Sequence, residues 1–97
     1  MSVYVGVPMW LFGRMVMCHM VADSEEEMDA MAVRLGIRRW KQLPKREQGV
    51  AGLAHYDIAK SKRAQAVKLG AIALDAVGEE AEVLWRLAEA KDARRGK

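Results

Sequence analysis

The segment "MVMCHMVADSEEEMDAMAVRLG" (residues 15–36) joins a strand pattern directly to a helix pattern. Residues 15–22 are apolar at nearly every position, which is typical of a central strand that is covered on both faces. Ser24, followed three residues later by Glu27, forms a capping box, and Gly36 is a typical helix end. The segment therefore predicts a buried strand followed by a capped helix. The apolar stripe of that helix consists of Met28, Met31, Ala32 and Leu35.

Weaker patterns on either side extend this arrangement into an α/β domain. Residues 2–7 and 71–74 are predicted strands, and residues 59–69 and 79–95 are predicted helices. Alternating strands and helices predict an α/β fold, which here means a short mixed or parallel sheet of three to four strands with three helices. We expect one small domain over residues 1–97, with a further strand in 37–43. Loops are expected at 8–14 and 44–53, a mobile loop at 48–54, and a disordered tail at 94–97.

Helical spacing also predicts which side chains of the later helices face the core. In the helix over 59–69 these are Ala64, Val67 and Ala66. In the helix over 79–95 the expected stripe is Ala81, Leu84, Trp85 and Ala88, so Trp85 is expected in the core rather than at a ligand.

Composition limits the cellular setting. The chain has 97 residues, of which 52% are apolar and 30% charged, so it is globular rather than disordered. Cys18 is the single cysteine, which excludes an intramolecular disulfide and fits a reducing cytoplasm. Pro8, Gly13, Arg14 and His19 interrupt the apolar start of the chain, so no membrane span is expected. We expect a cytoplasmic protein without a membrane partner, for which a homodimer stays open.

Charge is segregated along the chain. Residues 34–68 hold ten Lys and Arg against two acids, whereas residues 23–29 hold five acids and no base. A basic segment of this kind forms either a solvated surface or a face that binds anions.

The stretch "HYDIAKSKR" (residues 55–63) places His55, Tyr56 and Asp57 directly before the second predicted helix. One interpretation is a capping turn in which Asp57 accepts backbone N–H groups. The other is a phosphate site, because a helix N-terminus offers N–H donors and a positive dipole end. Lys60, Ser61 and Arg63 would add charge and hydrogen bonds to that site.

Two further residues are candidates for the same site. His19 is either a satisfied core residue or a partner of His55 and Asp57, and together these three could act as general acid and base on a phosphoester. Trp10 lies in a predicted loop, where it packs locally or stacks on a base. Two histidines and one carboxylate scattered along the sequence are a weak metal signal, so we expect no metal and no other cofactor.

Three stretches resemble the DUF4031 family of small bacterial and phage proteins: "VYVG", "CHMVADSEEEMDAMAVRLGI" (18–37) and "HYDIAKSKRAQAVKLGAIAL" (55–74). The resemblance covers about residues 2–75. It implies a fold and a site but no activity, because the family has no assigned function. Gly6 stands where the family pattern has an Asp, and Ala59 stands where it has a Thr. The change at Gly6 removes a candidate metal ligand or general base.

These observations lead to three functional hypotheses. The first is a non-enzymatic binder of a phosphorylated ligand, either a nucleotide-like small molecule or nucleic acid; in a phage this would be an accessory, host-takeover or counter-defence role. The second is a small phosphoesterase or nuclease that uses His19, His55 and Asp57, against which the change at Gly6 argues. The third is a protein–protein inhibitor whose basic face meets an acidic partner.

Overall fold

A computed structural model describes residues 2–37, 41–43 and 52–95. Within these residues the chain forms three helices and six strands. In chain order they are β1 (Val3–Val5), β2 (Trp10–Phe12), β3 (Met15–Ala22), α1 (Glu25–Leu35), β4 (Lys41–Gln42), β5 (His55–Ala59), α2 (Lys60–Lys68), β6 (Ile72–Ala73) and α3 (Val77–Arg95).

The strands form one mixed sheet with the order β4-β5-β3-β1-β6. The long strand β3 lies between β1 and β5 and is antiparallel to both, whereas β6 is parallel to β1. The predicted α/β fold with a mixed sheet and three helices is confirmed, and the sheet has more strands than the three to four expected. The additional strands are β2 and β5. Strand β2 lies in the segment 8–14, so the loop predicted there was wrong; it turns back on β3 through Gly13 in a left-handed conformation (φ 62°). Strand β5 occupies the stretch directly before α2, and the short β4 lies in the strand expected within 37–43.

Both faces of β3 are covered from Met17 onward, as its apolar pattern predicts, whereas Met15 and Val16 at its start are exposed. Alternate side chains of a strand point to opposite faces. Cys18 and Met20 therefore join the core beneath α1 and α2, while Val21 packs with Leu87 of α3 and its neighbours on the other face. These two faces are called the α1/α2 face and the α3 face below.

Helix α1 follows the sequence closely because its signals are local. Ser24 is the N-cap and accepts a hydrogen bond from the backbone N–H of Glu27 at 3.2 Å. Gly36 ends the helix with φ 74°, a left-handed conformation that favours glycine. The predicted stripe of Met28, Met31, Ala32 and Leu35 is buried.

The inward faces of α2 and α3 differ from those expected. In α2, Ala66 is buried, whereas Ala64 and Val67 are exposed. The α3 stripe was wrong for Ala81, which is exposed, and for Trp85, which is 60% exposed. Within residues 77–93 of α3, the buried side chains are Glu80, Leu87 and Ala88, of which only Ala88 belongs to the predicted stripe. The buried face of α3 therefore differs from the predicted one. It includes the acid Glu80, and a prediction from the spacing of apolar residues does not consider acids.

The predicted loop and tail are only partly described. Residues 44–51, which include most of the loop expected at 48–54, lie outside the described residues, and residues 52–54 lead into β5. Helix α3 extends to Arg95, two residues into the tail expected at 94–97. Of the described helices, none is both long and apolar enough to cross a membrane.

Candidate functional site

Strand pairing brings together the histidines and the aspartate that the sequence analysis singled out. In the antiparallel register of β3 and β5, His19 lies opposite Asp57. His55 precedes Asp57 by two residues, so its side chain lies on the same face of β5. Each of the three residues offers one nitrogen or oxygen atom, and these atoms all lie within 4.8 Å of one another. We call His19, His55 and Asp57 the histidine–aspartate cluster; it lies on the α3 face.

His19 is held from two sides. Its Nδ1 lies 3.0 Å from Oε2 of Glu80, which is only 4% exposed. Its ring packs against the indole of Trp10 with a centroid distance of 4.6 Å and meets the ring of His55 edge-on at 5.1 Å. An ionised carboxylate accepts but does not donate, so in a neutral imidazole this contact favours the tautomer with the proton on Nδ1 and the lone pair on Nε2.

Glu80 reaches this position because residue 6 has no side chain. Its Oε1 accepts a hydrogen bond from the backbone N–H of Val7 at 2.7 Å. A Cβ atom on Gly6 would lie 2.3 Å from the same Oε1, far inside van der Waals contact. The carboxylate of Glu80 therefore occupies the space into which a side chain at residue 6 would project.

Arg63 binds the other end of the peptide unit between Gly6 and Val7, whose N–H donates to Glu80. Its Nε donates to the carbonyl of Gly6 at 2.7 Å, and its Nη2 donates to the carbonyl of Leu74 at 2.9 Å and contacts Asp75 at 3.3 Å. The carbonyl of Gly6 and the N–H of Val7 belong to one peptide unit, which is thus bound by α2 on one side and by Glu80 of α3 on the other. These contacts give Arg63 a structural role between the ends of β1 and β6.

Asp57 is a strand residue, so the interpretation in which it caps α2 was wrong. The N-cap of α2 is Ala59, and no side chain caps that helix. Because β5 continues to Ala59, the carboxylate of Asp57 projects from the sheet instead of reaching the first turn of α2. Among the described residues no donor hydrogen-bonds to its buried Oδ1, although Nε2 of His55 lies 3.4 Å away. The Nδ1 of His55 lies 3.4 Å from the carbonyl oxygen of Leu53.

The other residues expected at the site fall outside the cluster. Tyr56 is buried on the α1/α2 face, where its hydroxyl donates to Asp29 at 2.8 Å. Lys60 and Ser61 are exposed in the first turn of α2. Helix α2 packs on the α1/α2 face through Ala66, whereas His55 projects from the α3 face. The sequence predicted that His55 and the first turn of α2 form one patch, whereas in the structure they lie on opposite faces of the sheet.

Cys18 points away from the cluster, as expected for the residue next to His19 on a strand. It is fully buried, and burial raises the pKa of its thiol to about 11. The thiol is therefore protonated at neutral pH and is not a nucleophile of this site.

Sequence reasoning missed Glu80. A signal was present, because Glu80 stands seven residues before Leu87 and eight before Ala88, which places all three on one helical face. An acid on the buried face of a helix is rare unless it is paired, so it marks a specific partner in the core.

The fold and the cluster define a small α/β domain with a histidine–carboxylate site on one face of its sheet. The family model for DUF4031, described as a protein of unknown function, matches residues 3–88, and the chain belongs to this family. No curated protein and no solved structure matches the chain.

Proposed function

We propose that the protein hydrolyses a phosphoester, either in a nucleotide-like small molecule or in nucleic acid, at the histidine–aspartate cluster. The convergence of His19, His55 and Asp57 from two strands carries this proposal. In such a reaction a water attacks phosphorus and loses a proton, while the departing oxygen gains one. Imidazole and carboxylate groups are suited to activating that water and handling these protons near neutral pH.

The environment of His19 supports an enzyme despite the change at Gly6. Gly6 stands where the family pattern has an acid. Glu80 supplies a carboxylate in that space and contacts Nδ1 of His19 at 3.0 Å. A carboxylate in this position fixes the orientation and tautomer of the imidazole, as it does in hydrolases that use a histidine. This support raises the hydrolase above the binder, which was the first hypothesis from the sequence.

Non-catalytic binding of a phosphorylated ligand is the second candidate. It is favoured by the start of α2, where no side chain caps the helix and Lys60 and Ser61 are exposed. Uncapped N–H groups beside a lysine are a typical setting for phosphate. An accessory or counter-defence role in a phage would suit either candidate and stays a prediction, as does inhibition of an acidic protein partner.

Turnover assays separate the two candidates. The purified protein is incubated with a chromogenic phosphodiester, cyclic and linear nucleotides, and single-stranded and duplex oligonucleotides. We expect hydrolysis of at least one substrate, reduced about 100-fold or more in His55→Ala and in Asp57→Asn, because removing a general acid or base costs about 10²–10⁴ in rate. Glu89→Gln, which changes an exposed acid of α3, should leave the rate unchanged.

The binder makes a different set of predictions. A nucleotide would raise the melting temperature without being consumed. That shift would fall in Lys60→Ala, persist in His55→Ala, and stay unchanged in the matched variant Lys62→Ala, which alters a neighbouring lysine. This pattern, without turnover of any phosphoester, would refute the hydrolase.

A further inference from the structure

We infer that the histidine–aspartate cluster is a binding site for a first-row divalent cation such as Zn²⁺. The inference deepens the proposed function, because it names the group that would bring a phosphate to this site. It stands on four observations: the local charge, the donor atoms, the second contacts of the histidines, and the unsatisfied oxygen of Asp57.

The local charge favours a cation between the carboxylates when an anionic substrate binds. The side chains that meet at the site include two carboxylates, Asp57 and Glu80, and two imidazoles. The nearby guanidinium of Arg63 is directed to the carbonyls of Gly6 and Leu74. A phosphate would therefore approach two carboxylates without a guanidinium aimed at it, and a divalent ion between them would offset their repulsion.

The donor atoms suit one ion. Two imidazole nitrogens and one carboxylate oxygen lie within 4.8 Å of one another. Zinc bonds such atoms at about 2.0–2.2 Å, so ligand atoms around one ion lie about 3–4 Å apart. Small side-chain rotations would close the cluster around it. Three protein ligands leave an open position, as in catalytic metal sites, and a mixed set of imidazole and carboxylate favours first-row metals over calcium.

The second contacts of both histidines match those of metal ligands. A histidine that binds a metal through one nitrogen usually donates its other N–H to a carboxylate or to a backbone carbonyl. Nδ1 of His19 faces Glu80 at 3.0 Å, and Nδ1 of His55 faces the carbonyl of Leu53 at 3.4 Å. Nε2 of each ring would then be the ligating nitrogen, and Nε2 of His55 already lies 3.4 Å from Oδ1 of Asp57, the oxygen that would share the ion.

The oxygen of Asp57 provides the fourth observation. Its Oδ1 is buried, and within the described part of the chain it accepts no hydrogen bond. A buried acceptor without a donor is unfavourable, and coordination to a cation would satisfy it. When bound, such an ion would lower the pKa of a coordinated water and polarise a phosphoryl oxygen.

Metal binding is measured directly on the full chain, independently of hydrolysis. The protein is stripped with a chelator, then titrated with Co²⁺ by visible absorption and with Zn²⁺ by calorimetry. We expect one ion per chain. His19→Ala, His55→Ala and the nearly isosteric Asp57→Asn should each weaken binding by about tenfold or more, whereas Glu89→Gln should bind as the wild type does.

Glu80→Gln provides a sharper test, because it changes the tautomer of His19 with little change in shape. The glutamine oxygen is needed by the N–H of Val7, so the glutamine N–H₂ must donate to Nδ1 of His19. The imidazole proton then moves to Nε2, which must lose that proton before it can bind a metal. Changes in such second contacts typically cost about 10–100-fold in metal affinity, and we expect a loss in that range.

The outcomes distinguish this inference from the proposed function. Binding that is lost in the cluster variants supports the metal site, and binding without turnover would refute the hydrolase alone. Failure to bind both Zn²⁺ and Co²⁺, or equal binding by wild type and all three cluster variants, would overturn the metal site. Full turnover in excess chelator would also overturn it and leave the hydrolase standing.

Discussion

Replacing Gly6 by alanine tests the central geometry of the site with a single methyl group. The added Cβ would lie 2.3 Å from Oε1, 2.5 Å from Cδ and 2.8 Å from Oε2 of Glu80. The backbone of Gly6 is outside the left-handed region, so alanine is conformationally acceptable there. The carboxylate must therefore move, and it loses the N–H of Val7 and Nδ1 of His19 as partners.

The cost follows from those two contacts. Hydrogen bonds that involve a charged group each contribute about 1.5–3 kcal/mol, and a displaced carboxylate recovers part of this by reaching water. We expect Gly6→Ala to lower the free energy of unfolding by about 2–4 kcal/mol. For a domain of this size such a loss lowers the melting temperature by about 10 °C or more.

A double-mutant cycle isolates the cause. Urea unfolding is measured for the wild type, Gly6→Ala, Glu80→Ala and the double variant. Because the clash needs both side chains, Gly6→Ala should cost less than about 0.5 kcal/mol in the Glu80→Ala background. Gly78→Ala is the matched control, since a Cβ there meets nothing within 4 Å. Equal costs of Gly6→Ala with and without Glu80 would refute the assignment of Glu80 to this space.

Two further predictions concern the surroundings of the cluster. Arg63→Ala should lower the free energy of unfolding in urea by about 2–4 kcal/mol, because the carbonyls of Gly6 and Leu74 lose their donor. Arg63→Lys should recover only part of this loss. Wild-type stability of Arg63→Ala would contradict the structural role. Cys18 should resist a thiol reagent at pH 8 until denaturant is added, because it is fully buried and burial raises the pKa of its thiol to about 11. Rapid labelling of the native protein would contradict this prediction.

Local signals predicted local structure. The bounds of β3 and the two caps of α1 follow from residues that are neighbours in the chain, and both elements appear where the sequence placed them. Asp57 shows the limit of the same reasoning, because an acid just before a helix is typical of a cap. Here the strand runs on to Ala59, and strand pairing, which depends on β3, decides where the carboxylate lies.

Long-range packing decided the remaining features. His19 and His55 could be named as candidates from the sequence, but their convergence depends on the register between β3 and β5. Glu80 was missed because its partners, Val7 and His19, are 73 and 61 residues away. The buried face of α3 was missed for the same reason, since it is set by what Glu80 contacts and only partly by apolar spacing.

The separation between Glu80 and its partners has a consequence for synthesis. Translation produces Gly6, Val7 and His19 long before Glu80, so a nascent chain that ends within α2 has every residue of the histidine–aspartate cluster but lacks the acid that orients His19. Domains generally fold as units once their contacts are available. His19 therefore gains its carboxylate partner only after the start of α3 has left the ribosome, and a product that ends before Glu80 lacks that contact.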